Sequence, residues 1–486
     1  AMITFGEWLP DQSSLGASTT VATNVIPAFK GYRPFKNLSA LSSATSSPLR
    51  GLFPTKQADG TVNLFAGSGT QLLKYNNSDT SLSNVSKAGD YSVNATSQWQ
   101  FIQFGDDVLA TEIATPIQKF TLGSSSNFAD VTSAPSAKFM KVVKDFVVTA
   151  HVNYGSVLYP RRVRWSQIND ASSWTIGSNQ ADIQDLADSG FITGLVGGEE
   201  GVVLTEKGIF RMQYVGSPLI FTFQKISNVG CTFPHSVSSL SSDKVFYANQ
   251  DGFFLFNGKD VLPIGSEKVD IFFSDDLNSN FTNRISCSID PVNQIVCWSY
   301  PSTQSTSGVP DKILIYNYAI ARWSLVEISH DFIGEIATPP QTLESLDNLN
   351  SSIDALGISL DSPAFAGGLF LFGASKDNKI QSFSGDNLSA VLETTEFEPV
   401  KQKRSLIKTV TPIVDRGSSE PIITVQVGSR SRQSDNVVFT SASSLTSDNF
   451  CNTRSNGRYH RIRVNASGTW KFAFGVDIEA SSLGKR

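Results

Sequence analysis

Apolar and aromatic residues recur along this chain in short runs separated by polar turns rich in glycine, asparagine and serine. The clearest run is 201–216, GVVLTEKGIFRMQYVG, echoed at 244–258 by KVFYANQDGFFLFNG. Each reads as strand, tight turn, strand, with Lys207-Gly208 or Asp251-Gly252 at the turn, where a two-residue hairpin needs a left-handed backbone. Similar units recur near 49–90 (VNLFAGSGTQLLKY), 97–131 (WQFIQFGDDVLAT, PIQKFTLG), 137–180 (MKVVKDFVVTAHV), 282–328 (ISCSIDPVNQIVCWSY, KILIYNYAIARWSLV) and 364–384 (AFAGGLFLFGASKDNKIQSFSG). A spacing of roughly 35 to 45 residues allows four short strands per unit, the signature of propeller blades. The pattern therefore predicts a mainly-β chain whose centre is a β-propeller of six or seven degenerate blades, over 49–335 with last strands at 363–392. Blades buried on both faces explain why the runs are continuously apolar and do not alternate.

Three segments depart from this pattern. Residues 1–48 carry Pro10, Pro27, Pro34 and Pro48 and read as an extended arm with aromatic anchors Trp8, Phe29, Tyr32 and Phe35. The arm either wraps over its own domain or reaches a neighbouring subunit. In 336–362, Leu343, Leu346, Leu349, Ile353 and Leu356 fall three and four apart, one stripe of a short inserted helix. That stripe packs on its own chain or meets a neighbouring copy. Residues 393–486 read as a separate, small β-sandwich: GTWKFAFGVDIE places Trp470, Phe472, Phe474, Val476 and Ile478 at period two. In YHRIRV, His460, Ile462 and Val464 share one face and Tyr459, Arg461 and Arg463 the other, while PIITVQVG alternates through Ile423, Val425 and Val427.

With 486 residues the chain exceeds a usual single core, and 40% hydrophobic against 17% charged residues marks it as globular. The formal charge of −5 is uneven: from Glu393 onward there are 14 Lys+Arg against 9 Asp+Glu, and before it 25 against 35. An acidic body with a basic end argues against a dedicated nucleic-acid binder and suits electrostatic docking of one end to a partner. No apolar run approaches the ~20 residues of a membrane span, and the opening AMITFGEWLPDQ lacks the features of a signal peptide. A soluble chain not marked for export is expected. Of the four cysteines, Cys287 and Cys297 flank a turn; buried free thiols are the expectation for all four, with Cys231 and Cys451.

Candidate chemistry is sparse. Among four histidines, His235 has a soft ligand nearby in Cys231, but a zinc site would need further remote ligands. No GxSxG, P-loop, HExxH or GxGxxG opening a helix is present, and the glycine-rich 197–201 precedes a strand. The acidic pairs Asp106-Asp107, Glu199-Glu200 and Asp275-Asp276 point to opposite sides of a strand and do not form an acid/base pair. The runs 401–408 (KQKRSLIK) and 161–164 (RRVR) could touch phosphates, although a solvated strand face with inter-subunit ion pairs is the favoured account of them. No catalytic, cofactor-binding or metal-binding residue is assigned, and no cofactor is expected.

In ordered succession, RVRWSQINDASSWTIG, GLVGGEEGVVLTEKGIFRMQYVGSPLIFTF, DGFFLFNG with LPIGSEKVDIFF, IDPVNQIVCWSYPS, LIYNYAIARWS, TLESLDNLNSSIDAL and RYHRIRV with GTWKFAFGVDIE are similar to one family over about 140–480. It is the tail nozzle, or tail hub, of short-tailed bacteriophages, also called packaged-DNA stabilisation proteins. The resemblance implies a virion structural protein and no enzyme: a homohexamer beneath the portal and tail adaptor, with tail fibres or tailspikes attached and double-stranded DNA passing through its lumen without sequence specificity. Leu343, Leu346, Leu349, Ile353, Leu356, Trp8 and Phe35 are then candidate inter-subunit or gate contacts. The alternatives are a receptor-binding or fibre-attachment virion propeller and a polysaccharide hydrolase.

Overall fold

The computed structural model describes residues 1–16, 19–337 and 371–484. The chain is mainly β, with 54% of residues in strands and 3% in helices. Among the described residues, seven antiparallel four-stranded units follow one another, six of them separate sheets and the sixth part of a larger one: sheet one at 49–84, two at 100–130, three at 136–185, four at 192–227, five at 238–263, six at 286–327 and seven at 332–382. The first six run through their strands in chain order. Sheet seven pairs Phe332–Ile336, Leu371–Lys376 and Lys379–Ser382, and its fourth strand is Ser39–Ala40. The first strands of successive sheets touch in chain order, and that of sheet seven touches that of sheet one.

The opening hairpins form as expected, but their turns sit one residue earlier. Thr205 pairs with Gly208 and Asn249 with Gly252, so the turns are Glu206-Lys207 and Gln250-Asp251. Gly252 begins a strand at φ 139°, and a Cβ there would lie 2.1 Å from an Asp270 carboxylate oxygen. Its glycine makes room for that carboxylate. Gly67 serves a similar purpose inside a strand: a Cβ would sit 2.2 Å from the Trp99 ring, whose indole N–H donates to the Ser68 carbonyl at 2.7 Å.

The arm is woven through its own chain. Met2–Thr4 pairs with Trp470–Gly484, and Thr19–Thr23 lies between Arg322–Glu327 of sheet six and Ala390–Thr394. Val25–Ala28 and Gly31–Pro34 form a hairpin against Trp470–Gly484. The end piece, expected as a separate unit, is thereby joined to sheet six. Through Thr19–Thr23 and Ala390–Thr394 that sheet continues into Tyr459–Ser467 and Ile422–Arg430, giving ten strands. Ala390–Thr394 thus pairs with the terminal lobe, and not with sheet seven.

One core spans the arm, sheets five and six and the terminal lobe, with Trp8, Tyr32, Trp298, Trp323, Ile407 and Val464 all buried. Trp298 and Trp323 stack at 5.6 Å, and Phe253 meets them at 4.8 and 5.0 Å. In Trp470–Gly484 the strict alternation is broken. A register shift between Ile413 and Val414 on the paired strand changes its phase, burying Ala473 and leaving Phe472 and Phe474 half-buried. The helix Asp270–Asp276, which the sequence does not signal, joins sheets five and six; Asp11 of the arm accepts from the amides of Ile271 and Phe272 at 2.8 Å each.

Candidate functional site

A cavity of about 270 Å³ is lined by the first strands of all seven sheets, among them Pro54, Gln100, Lys141, Leu195, Ser239 and Glu335. It has no room for duplex DNA, whose major groove alone is about 12 Å wide. Lys141 and Glu335 are its charged groups, reaching the open space while protein crowds them on every side. Burial holds the Lys141 ammonium below its usual range, and the Glu335 charge opposes that shift. Burial raises the Glu335 carboxyl, with Lys141 opposing. Glycoside hydrolysis generally needs two converging carboxylates; this lining supplies one, facing an ammonium.

The histidines serve packing. His330 Nδ1 meets the Ile328 carbonyl at 2.9 Å, so Nδ1 carries the proton and Nε2 accepts from the Ser299 hydroxyl at 2.5 Å. Burial pushes its pKa down to about 4. His235 rests against Phe139 at 5.4 Å and is pushed down to about 3, by burial first and then by the Lys138 charge. Cys231 donates to the Phe233 carbonyl at 3.4 Å. Among the described residues no group of three or more His, Cys, Asp or Glu is placed to hold a metal ion. All four cysteines are free thiols. Cys287 is opposite Trp298, and Cys297 opposite Ser288, so the two thiols leave opposite faces of their sheet.

Each acidic pair divides its roles. Asp107 accepts from Thr121 at 2.6 Å, Glu200 pairs with Arg211 at 3.3 Å, and Asp276 accepts from Tyr300 at 2.8 Å and pairs with Lys312 at 2.9 Å. Their partners in sequence, Asp106 and Glu199, stay exposed. Most of the 161–164 basic run is likewise occupied. Arg162 holds Asp185 with bonds of 2.7 and 2.9 Å, and Arg164 lies over the Tyr154 ring at 4.1 Å while donating to the Trp174 carbonyl.

The densest polar constellation joins the arm to the terminal lobe. Glu393 and Glu396, with side chains 2% and 1% exposed, meet Arg430, Arg461 and Arg463. Arg463 binds Glu393 at 2.8 Å, and Arg461 reaches both carboxylates, at 3.3 and 3.7 Å. The arm closes the cluster: Thr20 donates to Glu393 and Ser14 to Glu396, each at 3.0 Å. Arg461 Nε is buried without a partner. Sequence reasoning placed Arg461 and Arg463 on a shared face but missed the two glutamates. The usable signal was Glu393-x-x-Glu396, the first acidic residues of the basic end piece.

Trp8 and Phe35, expected as candidate contacts to another subunit or a gate, are 3% and 2% exposed inside their own chain. Trp8 donates to the Thr20 carbonyl at 3.3 Å and meets Phe272 edge-on at 5.2 Å; Phe35 meets Phe383 at 5.1 Å. Their apolar surface is consumed by packing, whereas Phe29 at the hairpin tip is 77% exposed. Leu343, Leu346, Leu349, Ile353 and Leu356 lie outside the described residues. No family model matches the chain, and no curated protein matches it.

Proposed function

We propose that this chain is a structural subunit of a short-tailed bacteriophage tail nozzle, six copies forming a ring below the tail adaptor. In this reading the seven sheets are the blades of a propeller, and Ser39–Ala40 closes the seventh. The contacts between first strands in chain order, with the seventh meeting the first, support the propeller. The ordered run of family-like segments supports the nozzle.

The observation that carries the structural role is the ten-stranded sheet in which sheet six, the arm and the terminal lobe are hydrogen-bonded together. Separate domains on a linker move relative to one another by default. A subunit that retains a packaged genome and anchors fibres or spikes must instead hold its parts in register. On this reading DNA passes through a lumen between copies, since the 270 Å³ cavity of the single subunit has no room for a duplex. An acidic body suits such a lumen, since a strongly basic wall would hold phosphates by counterion release. No reaction is assigned to the chain.

Native mass spectrometry of the full chain, alone and with a portal–adaptor complex, tests this reading. A sixfold increment of 52.6 kDa in either state is expected. A monomer that ignores the adaptor and binds or cuts host polysaccharide would replace it with one of the alternatives.

A further inference from the structure

In each of sheets one to five, the turn from first to second strand carries an exposed carboxylate: Asp59, Asp106, Asp145, Glu199 and Asp243. None has an ion-pair partner among the described residues. A parallel bridge between Val143 and Gly198 sets the turns of sheets three and four side by side. The nearby Lys144 and Lys244 fold over the rings of Tyr214 and Tyr318, at 4.7 and 5.1 Å. The carboxylates form an arc across five neighbouring sheets.

The terminal lobe carries the opposite charge. Arg404–Arg416 pairs with Cys451–Gly457, burying Ile407, Val410 and Cys451 and leaving Lys408 and Arg454 exposed. Lys401 and Lys403 are exposed just before the first strand, beside half-buried Arg404. These five cations form no ion pair among the described residues. The lobe's own Glu393, Glu396 and Glu398 are taken by other arginines.

We propose that this basic strip docks, head to tail, onto the acidic arc of a second copy of the chain. The inference rests on the ring reading above and names the surfaces that would build it. Two different, complementary surfaces make a heterologous contact, the kind that generates closed rings, and complementary potentials fix its register. Duplex DNA competes for the strip but not for the arc, which repels phosphate.

The test is sedimentation velocity of the full chain at about 0.05 M and about 0.5 M salt, where screening lengths differ severalfold. Lys408→Glu with Arg454→Glu, and separately Asp106→Lys with Asp145→Lys, are each expected to weaken association by about tenfold or more. Combining the two sets should recover much of it. Unfolding midpoints check that the variants fold, and Lys408→Gln with Arg454→Gln replaces the reversal if it does not. Assembly of the unaltered chain that neither set disturbs overturns this docking and leaves the ring reading standing. A chain that stays monomeric even with the adaptor removes both. Normal assembly of the strip variant, with lost affinity for a short DNA duplex, reassigns the strip to nucleic acid and overturns the proposal.

Discussion

Arg430 grips Glu396 through two parallel hydrogen bonds, Nε to Oε1 at 2.5 Å and Nη2 to Oε2 at 2.6 Å, on a carboxylate almost wholly removed from solvent. Breaking a buried pair from one side strands the other charge, at a cost of about 3–5 kcal/mol. Glu396→Ala should lower the urea midpoint accordingly and open the chain to proteolysis near Ser14. Glu396→Gln with Arg430→Met should cost less than Glu396→Ala alone. Equal midpoints for Glu396→Ala and the unaltered chain would remove the cluster from the stability argument.

Trp8 fastens the arm. Removing a buried tryptophan side chain costs about 3–5 kcal/mol, so Trp8→Ala should raise amide exchange in Thr19–Thr23 and Arg322–Glu327, which that segment joins. Exchange unchanged in both strands would show that the arm is held elsewhere.

All four histidines have depressed pKa values, with burial the leading cause. Between the ordinary value of 6.5 and the folded values, about 3 for His235 and about 4 for His330, the unfolded chain binds more protons. The histidine contribution is therefore fully present above pH 6.5 and is lost as pH falls toward 4 and below, by up to about 1.4 kcal/mol per pH unit for each titrating group. Urea midpoints at successive pH values should show this fall, and His330→Gln should make it shallower.

Asp270 opposes that trend. Burial raises its pKa to about 6, with the charges of Asp11 and Asp251 adding to the shift. Its contribution is complete below pH 3.8 and is lost as pH rises through 6. Asp270→Asn keeps an acceptor for the Phe253 amide, 3.2 Å away, and should stabilise the chain at pH 7 by about 1 kcal/mol after allowance for partial solvent screening. Destabilisation at pH 7 would show that the charge itself is needed.

The sheets were legible where strands are long and apolar. Phe146–Tyr154, Gly201–Thr205 and Lys312–Asn317 are buried almost throughout, and their hydrophobic runs say so. Sheet seven was half legible, because Ser39–Ala40 is two residues with no periodicity, and its role depends on a partner some 340 positions away. The union of the end piece with sheet six escaped notice for the same reason: period two reveals which face is buried but not which strand lies alongside. At the arm–lobe junction the arginines were visible as an alternating face. The glutamates were not, because burial of a carboxylate is decided by remote partners and not by its neighbours in sequence.

Thr20 donates to Glu393 across 373 positions of chain. At a translation speed of roughly 5–20 residues per second, the arm leaves the ribosome some twenty seconds to more than a minute before that partner exists. Until then the edge of Thr19–Thr23 that Ala390–Thr394 will cover stays open, and Met2–Thr4 and Gly31–Pro34 wait longer still for Trp470–Gly484. The newborn chain carries that edge exposed to pairing with other polysomal copies, and the arm is locked only once the terminal lobe emerges: a product cut short before it keeps an arm seated on sheet six along one side alone.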